Sequence, residues 1–264
     1  MKQLFFSALL ITGLFCSCST DNTADNTTPE TVNYFPVDSI SAWTYDVSAT
    51  SFSGRDSLYI AGETTLNGKT YKKFLTKHEP FGFYSGALNN NNVRKNGDEI
   101  LVTGATGVNL AEIFPVTIDI VDFIIFKASA SDNQQLSSIN GTIEQDFGGY
   151  PLKIDYTLRS VYKNALPTYN VPNYGNYQDV KVVELVLNLK ITTEVMVEGL
   201  STPITATVLE PQDVMVSTHY YAKNIGVVYV NTDITYETQD FSQFNMTFPI
   251  PQAGSETILE FLDR

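Results

Sequence analysis

Between Lys181 and Val197 the chain alternates: Val183, Leu185, Leu187, Leu189, Ile191, Val195 and Val197 are apolar, while Glu184, Asn188, Lys190, Thr192 and Glu194 are polar. A period of two belongs to a β-strand with one buried face and one wet face. At about 3.3 Å per residue this strand would run roughly 50 Å, long for a compact sandwich and suited to a curved sheet or half-barrel. The same alternation recurs around Trp43, Tyr45 and Val47, and again near Val228, Val230 and Ile234.

The turn residues agree with strands. Asn67-Gly68, Asn96-Gly97 and Asn140-Gly141 each lie between β-prone runs, where an Asn-Gly pair supplies the positive φ angles of a tight hairpin. Hairpin neighbours make the sheet antiparallel. The expected fold is therefore all-β: a single antiparallel, strongly curved sheet, half-barrel or sandwich, built from hairpins as one domain over residues 33–264. Val116 to Ala128 carries apolar residues on both parities, which suits a strand covered on both faces better than a short core helix. Ser255 to Asp263 fits either a final helical turn or an edge strand. No fixed-period repeat is present, which argues against a propeller or solenoid.

The N-terminal residues state an address. Lys2 is followed by the apolar run Leu4 to Phe15, the charged-then-apolar layout of a secretory signal, and shorter than the about 20 residues needed to span a bilayer. Both cysteines, Cys16 and Cys18, sit directly after it. The segment Phe15-Cys16-Ser17-Cys18 resembles a bacterial lipobox, which implies cleavage and acylation at Cys18 behind the small Ser17. The expected organisation is a lipoprotein signal peptide over 1–17, lipidated Cys18 with a flexible tether over 18–32, and then the β-domain. A chain processed this way keeps no free thiol, so cysteine catalysis, disulfides and cysteine metal sites are excluded.

Charge narrows the partners. The chain holds 29 acidic against 16 basic residues, net -13, and cleavage would remove only Lys2 from that balance. With no basic run, it would repel a phosphate backbone, which excludes nucleic acid as a partner. Attachment to a membrane would come from acyl chains rather than from charge.

A resemblance extends this reading. Phe35-Pro36-Val37, Trp43-Thr44-Tyr45-Asp46-Val47, Asp56-Ser57-Leu58-Tyr59 and Asn67-Gly68-Lys69-Thr70-Tyr71 resemble the opening of a group of Bacteroidota surface lipoproteins. Tyr220-Tyr221-Ala222-Lys223-Asn224-Ile225-Gly226-Val227-Val228 is similar to their late strand-turn-strand. The glycine such proteins often carry before the Trp is absent from Asp38 to Ala42. The resemblance implies an exported all-β domain lipid-anchored at the outer membrane, on its periplasmic face or the cell surface, and implies no reaction.

Motifs for catalysis are missing. Gly68-Lys69-Thr70 ends like a phosphate-binding loop, but position 63, where that loop needs glycine, is Glu63. Gly82-Phe83-Tyr84-Ser85-Gly86 places its serine wrongly for a nucleophile elbow. Two histidines, His78 and His219, are too few for a three-histidine zinc site. Asp119 and Asp122 share an apolar segment, yet three residues apart on a strand they fall on opposite faces, which weakens a hydrolytic pair. Neither Asp21 to Asp25 nor Asn231 to Asp233 has the alternating oxygens of a calcium loop. No metal or cofactor is expected.

The most site-like stretch carries Tyr162, Tyr169, Tyr174 and Tyr177 among Asn164, Asn170, Asn173 and Asn176, stiffened by Pro167 and Pro172. These tyrosines either stack on a ligand or fold back over the sheet. Asp38-Ser39-Ile40 and Asp56-Ser57-Leu58 match a short acceptor pattern for O-glycosylation at Ser39 and Ser57. The leading expectation is a non-enzymatic, lipid-anchored envelope module for binding or envelope support. Its concave apolar face would either receive a hydrophobic ligand or be filled by its own side chains. The alternative is a glycan- or envelope-protein-binding module using the tyrosine loop, and less favoured still is a carboxylate hydrolase.

Overall fold

The computed structural model of this chain describes residues 33–110, 114–196, 199, 201–241 and 251–263. Its contacts divide the chain into Met1–Thr31 and Val32–Arg264. The signal peptide, Cys18 and the tether lie outside the described residues.

Twelve strands and one short helix make up the domain: β1 (Ala42–Ala49), β2 (Ser53–Leu66), β3 (Lys69–Thr76), α1 (Phe83–Leu88), β4 (Asn92–Asn96), β5 (Glu99–Leu110), β6 (Phe114–Lys127), β7 (Gln135–Phe147), β8 (Tyr150–Val171), β9 (Gly175–Val195), β10 (Ile204–Ala222), β11 (Gly226–Glu237) and β12 (Ala253–Asp263). They form one antiparallel sheet in the order β6-β5-β4-β3-β2-β1-β12-β11-β10-β9-β8-β7. Every hydrogen-bonded pair joins strands consecutive in sequence, except β1 with β12, which brings the two ends of the domain together. The sheet curls until its edges β6 and β7 meet. There the Ser160 hydroxyl donates to the Ile124 carbonyl, and the Ile124 N–H donates to Ser137 Oγ at 3.0 Å. The result is a nearly closed, up-and-down curved sheet.

The long alternating run is β9, and its odd residues point inward: Val183, Leu185, Leu187, Leu189, Ile191 and Val195 are buried. Val116 to Ala128 falls within and just beyond strand β6. Ser255 to Asp263 also forms a strand, β12, held on both sides by β1 and β11 rather than lying at an edge. Asn67-Gly68 makes the two-residue turn between β2 and β3, with φ of 50° and 75°. Asn96 closes β4, and Gly97, at φ 62°, turns the chain into β5. Asn140-Gly141 differs, for it lies inside β7 with Gly141 opposite Tyr156. The Tyr156 ring occupies the space a Cβ at 141 would need, so this glycine serves close packing across strands and not a turn.

Two segments outside the strands complete the core. Tyr34, Phe35 and Val37 are buried at one end of the curl. Phe35 stacks on Trp43 of β1 with centroids 5.9 Å apart and meets Phe74 of β3, while Tyr34 packs on Phe126 of β6 and its hydroxyl donates to Asp179 of β9. From the other end, the connection between β3 and β4 turns inward and carries α1, whose Tyr84 and Leu88 are 2% exposed. Between the two, Phe126 of β6 touches Tyr221 of β10 directly, centroids 4.5 Å apart, so the lumen is flattened and filled.

Replacing Phe35 with Ala should destabilise the domain by about 3–5 kcal/mol, the usual cost of emptying a buried aromatic site. Urea unfolding followed through Trp43, the single tryptophan and the partner ring of Phe35, would measure that loss. A change within about 0.5 kcal/mol, the range of an unremarkable surface substitution, would show that the N-terminal segment is not part of the core.

Candidate functional site

The inward segment before β4 brings backbone N–H groups into an apolar interior, where each needs an acceptor. Two wall carboxylates provide them. Asp56 of β2, 3% exposed, accepts from the N–H of Phe81 at 2.9 Å and of Gly82 at 2.8 Å. Glu260 of β12, wholly buried, accepts from the N–H of Tyr84 at 2.5 Å and from the N–H and hydroxyl of Ser85 at 3.2 and 3.0 Å. These donors are the unsatisfied first turn of α1. At its far end the Asn91 amide donates to the carbonyls of Ala87 and Ala105, at 2.7 and 2.6 Å, which ties the segment to β5.

Close approach demands small residues here. A Cβ at Gly82 would collide with the Glu260 carboxylate, and one at Gly54 with the Phe81 ring. Burial, together with the nearby Asp56 charge, pushes the Glu260 carboxyl up to about 7, against the pull of its three donors.

Beside Glu260 lies a second polar group. Ser217 Oγ is 2.9 Å from His219 Nε2 and 2.6 Å from Thr232 Oγ1, and the Tyr84 ring stands edge-on to the imidazole at 5.2 Å. Burial lowers His219 to about 3, so it is a neutral imidazole at ordinary pH. Among the described residues no carboxylate bonds to it. Ser217 is fully buried and His219 nearly so, which makes the pair a core network rather than a nucleophile and base facing a substrate. The adjoining internal cavity holds only about 30 Å³ between α1 and strands β5, β6, β8, β9 and β10.

The roomy space lies at the end of the curl where β11 finishes and β12 begins. This mouth cavity is about 870 Å³, within the usual range for small-molecule sites. Phe81 and Phe83 of the inward segment form one wall, Val108 of β5 another, and Ile234, Tyr236 and Ile258 of β11 and β12 a third; Phe52 stands at the rim. The Tyr236 ring lies over Gly254, and its hydroxyl is buried without a hydrogen-bond partner. An orphaned hydroxyl costs about 1–3 kcal/mol unless something bonds to it.

The sequence-predicted tyrosines lie elsewhere. Tyr162 and Tyr177 are buried at 2% exposure. Tyr169 and Tyr174 belong to the far part of the β8–β9 hairpin, which folds over the outside of the sheet. Tyr169 stacks on Tyr220 at 4.2 Å, Tyr220 meets Tyr229, Tyr229 meets Phe261, and Tyr174 stacks on Phe261 at 4.8 Å while donating its hydroxyl to Asp46 at 3.1 Å. Their ring faces are turned to one another. Asp119 is exposed, and Asp122, on a bulge with φ 50°, is bound by Arg94, Lys69 and Tyr71 at 2.7, 2.5 and 2.7 Å. Arg94 above all holds that carboxyl well below the usual range, which makes Asp122 the centre of a surface ion-pair cluster. His78 is exposed on a turn, Ser39 is exposed, and Ser57 is half-buried within β2. Among the described residues no group of three or more His, Cys, Asp or Glu is placed to hold a metal.

Sequence reasoning missed the two carboxylates and the mouth cavity. One signal was available: Glu260 shares its parity with Ile258 and Leu262, and Asp56 with Leu58, so both charges sit on the apolar side of their strands. This chain matches no family model, no curated protein and no solved structure.

The buried pair of titratable groups sets the pH dependence of stability. Glu260 at about 7, above its unfolded 4.5, contributes stability that is complete below pH 4.5 and lost as pH rises through 7. His219 at about 3, below its unfolded 6.5, acts oppositely, with stability complete above pH 6.5 and lost as pH falls toward 3. The two slopes oppose each other between pH 4.5 and 6.5. Above that window Glu260 dominates, with a slope of at most about 1.4 kcal/mol per pH unit. Urea midpoints for the parent and for Glu260→Gln should therefore diverge as pH rises from 6 through 7, the parent losing stability relative to the variant. Parallel curves would show that the Glu260 carboxyl does not titrate there.

Proposed function

We propose that this protein is a lipid-anchored, non-enzymatic module of the cell envelope that binds a hydrophobic ligand in its mouth cavity. The observation that carries this reading is the about 870 Å³ space at one end of the domain, walled by Phe81, Phe83, Val108, Ile234 and Ile258 beside the polar Glu79, Asn109, Ser255 and Glu256. The concave face proposed as a ligand surface is largely occupied by the chain itself, through Tyr34, Phe35, Tyr84 and Leu88. The mouth is the roomier of two spaces, the other being about 450 Å³ beside Ile40, Trp43 and Ile225. Transfer of apolar ligand surface into such a site is worth about 25 cal/mol per Å² before the losses of association are counted.

Anchoring rests on the sequence, where Cys18 follows the run Leu4 to Phe15 and a small residue. Acyl chains fixed there, with residues 18–32 as tether, would hold an acidic domain at a membrane whose own surface charge it does not seek. Mass spectrometry of the mature N-terminus should find acylated Cys18, and Cys18→Ala should move the protein from the membrane to the soluble fraction. A Cys18→Ala protein still lipid-labelled and wholly membrane-bound would overturn the anchor.

Ligand binding is tested on protein purified from its own envelope, by native mass spectrometry and solvent extraction, and by titration with the fluorescent apolar probe N-phenyl-1-naphthylamine. The parent should bind the probe, and Ile258→Trp, which fills the mouth, should weaken binding at least tenfold. Equal binding by both proteins would place the probe elsewhere.

A further inference from the structure

The charged and aromatic side chains of the mouth cavity select among hydrophobic ligands, and this step rests on the cavity being a binding site. Among the described residues its walls carry two charged side chains, Glu79 and Glu256, both acidic, and no Lys, Arg or His. Glu256 accepts a hydrogen bond from the Ser51 hydroxyl at 3.2 Å, and no described cation forms an ion pair with either carboxylate. Lys77 and His78 precede Glu79 on an exposed turn, yet neither lines the cavity. The chain as a whole is strongly acidic, so no distant excess of cations offsets the two. The wall thus carries negative charge whose counter-charge the protein does not supply.

The second observation is a pair of aromatic rings at the same rim. Phe52 and Phe81 both line the cavity, their centroids 6.2 Å apart and their planes 35° from parallel. Phe81 is 47% exposed, and its ring is held against β2 where Gly54 has no side chain to displace it. The carboxylates stand beside these rings in the chain: Ser51, the donor to Glu256, immediately precedes Phe52, and Glu79 lies two residues before Phe81. The face of an aromatic ring attracts a cation within about 6 Å, and alkylated ammonium groups suit it best because their carbon surface packs on the ring. An anionic headgroup would lose water and meet like charge here. A neutral one would gain nothing from the two carboxylates.

We propose that the mouth cavity takes a cationic amphiphile, its alkylammonium headgroup held at the rim by the rings of Phe52 and Phe81 and the carboxylates of Glu79 and Glu256, with the hydrocarbon covered by the apolar wall behind them. Ten-carbon compounds provide the test, because they differ in headgroup and stay soluble below their micelle concentrations. The complete Cys18→Ala chain is loaded with N-phenyl-1-naphthylamine at pH 7, and displacement is measured with decyltrimethylammonium, monodecanoylglycerol and decanoate. Decyltrimethylammonium should displace the probe at a concentration at least tenfold below that needed for either of the others. Glu79→Gln with Glu256→Gln should shrink its advantage over monodecanoylglycerol at least fivefold. Phe81→Leu should shrink it about threefold, the worth of one exposed ring-cation contact. Asp38→Asn with Asp132→Asn, which removes the same charge from exposed positions outside the cavity lining, should leave the advantage as it is.

Probe binding with monodecanoylglycerol or decanoate as effective as decyltrimethylammonium overturns the cationic headgroup and leaves the cavity reading intact. An advantage that survives the two Gln substitutions, or that falls equally with the two Asn substitutions, overturns the rim carboxylates in favour of the overall charge of the chain. An unchanged advantage in Phe81→Leu removes that ring from headgroup recognition. No probe binding to the parent overturns the cavity reading itself, and with it this inference.

Discussion

A sheet of twelve strands curled nearly shut encloses more volume than its own inward side chains can fill. Eight strands already give an interior that side chains just occupy, and the diameter grows roughly linearly with strand number. Protein interiors are packed like organic crystals, and unfilled apolar space is destabilising. This chain answers in two ways. It flattens, so that Phe126 of β6 touches Tyr221 of β10, and it draws in two of its own segments, Tyr34–Val37 and the α1 connection. A connection taken inside brings peptide groups that water no longer solvates. Asp56 and Glu260 follow from that necessity, since a carboxylate with two oxygens accepts several N–H donors at once.

Closure raises a separate problem at the seam. Strands β6 and β7 form no ladder with each other among the described residues, and unpaired edges invite association with other chains. The Ile124 backbone finds side-chain partners in Ser137 and Ser160, two residues directly opposite each other on β7 and β8. The bulge at Asp122 shifts the β5–β6 register between Val102 and Gly104 and leaves Val121 72% exposed. Arg94, Lys69 and Tyr71 fix that bulge from outside. The ion-pair cluster around Asp122 is thus structural, a clamp on an irregular strand where the sheet nearly joins itself.

Local rules revealed the scaffold and non-local ones hid the rest. The parity of Val183 to Ile191 is written in consecutive residues, so β9 and its buried face were legible. Asn67-Gly68 and Asn140-Gly141 are the same dipeptide, but one is a turn and the other faces Tyr156 within a strand, and only the partner strand distinguishes them. Ser255 to Asp263 looked terminal and became central, because β1 pairs with it from the other end of the domain. The four tyrosines were visible as a cluster in sequence. The long hairpin separates them, placing Tyr162 and Tyr177 in the core and Tyr169 and Tyr174 against Tyr220 and Phe261 outside. For the α1 segment, six helical residues give too little periodicity to read, and the marks it left were two acidic residues on the apolar side of β2 and β12.

Those two acids also connect the core to the cavity. Phe81 and Phe83, which wall the mouth, belong to the segment whose N–H groups Asp56 and Glu260 hold, and Gly82 between them has no room for a side chain because Glu260 occupies it. An apolar residue at position 260 would fill the same space and leave the N–H groups of Tyr84 and Ser85 without partners, at about 1–3 kcal/mol for each buried group. The burial of a carboxyl is the lesser penalty, moderated by a proton as its pKa rises. The position of the aromatic wall is therefore set by hydrogen bonds from the barrel's own strands, which makes the mouth a preformed space rather than one a ligand must open.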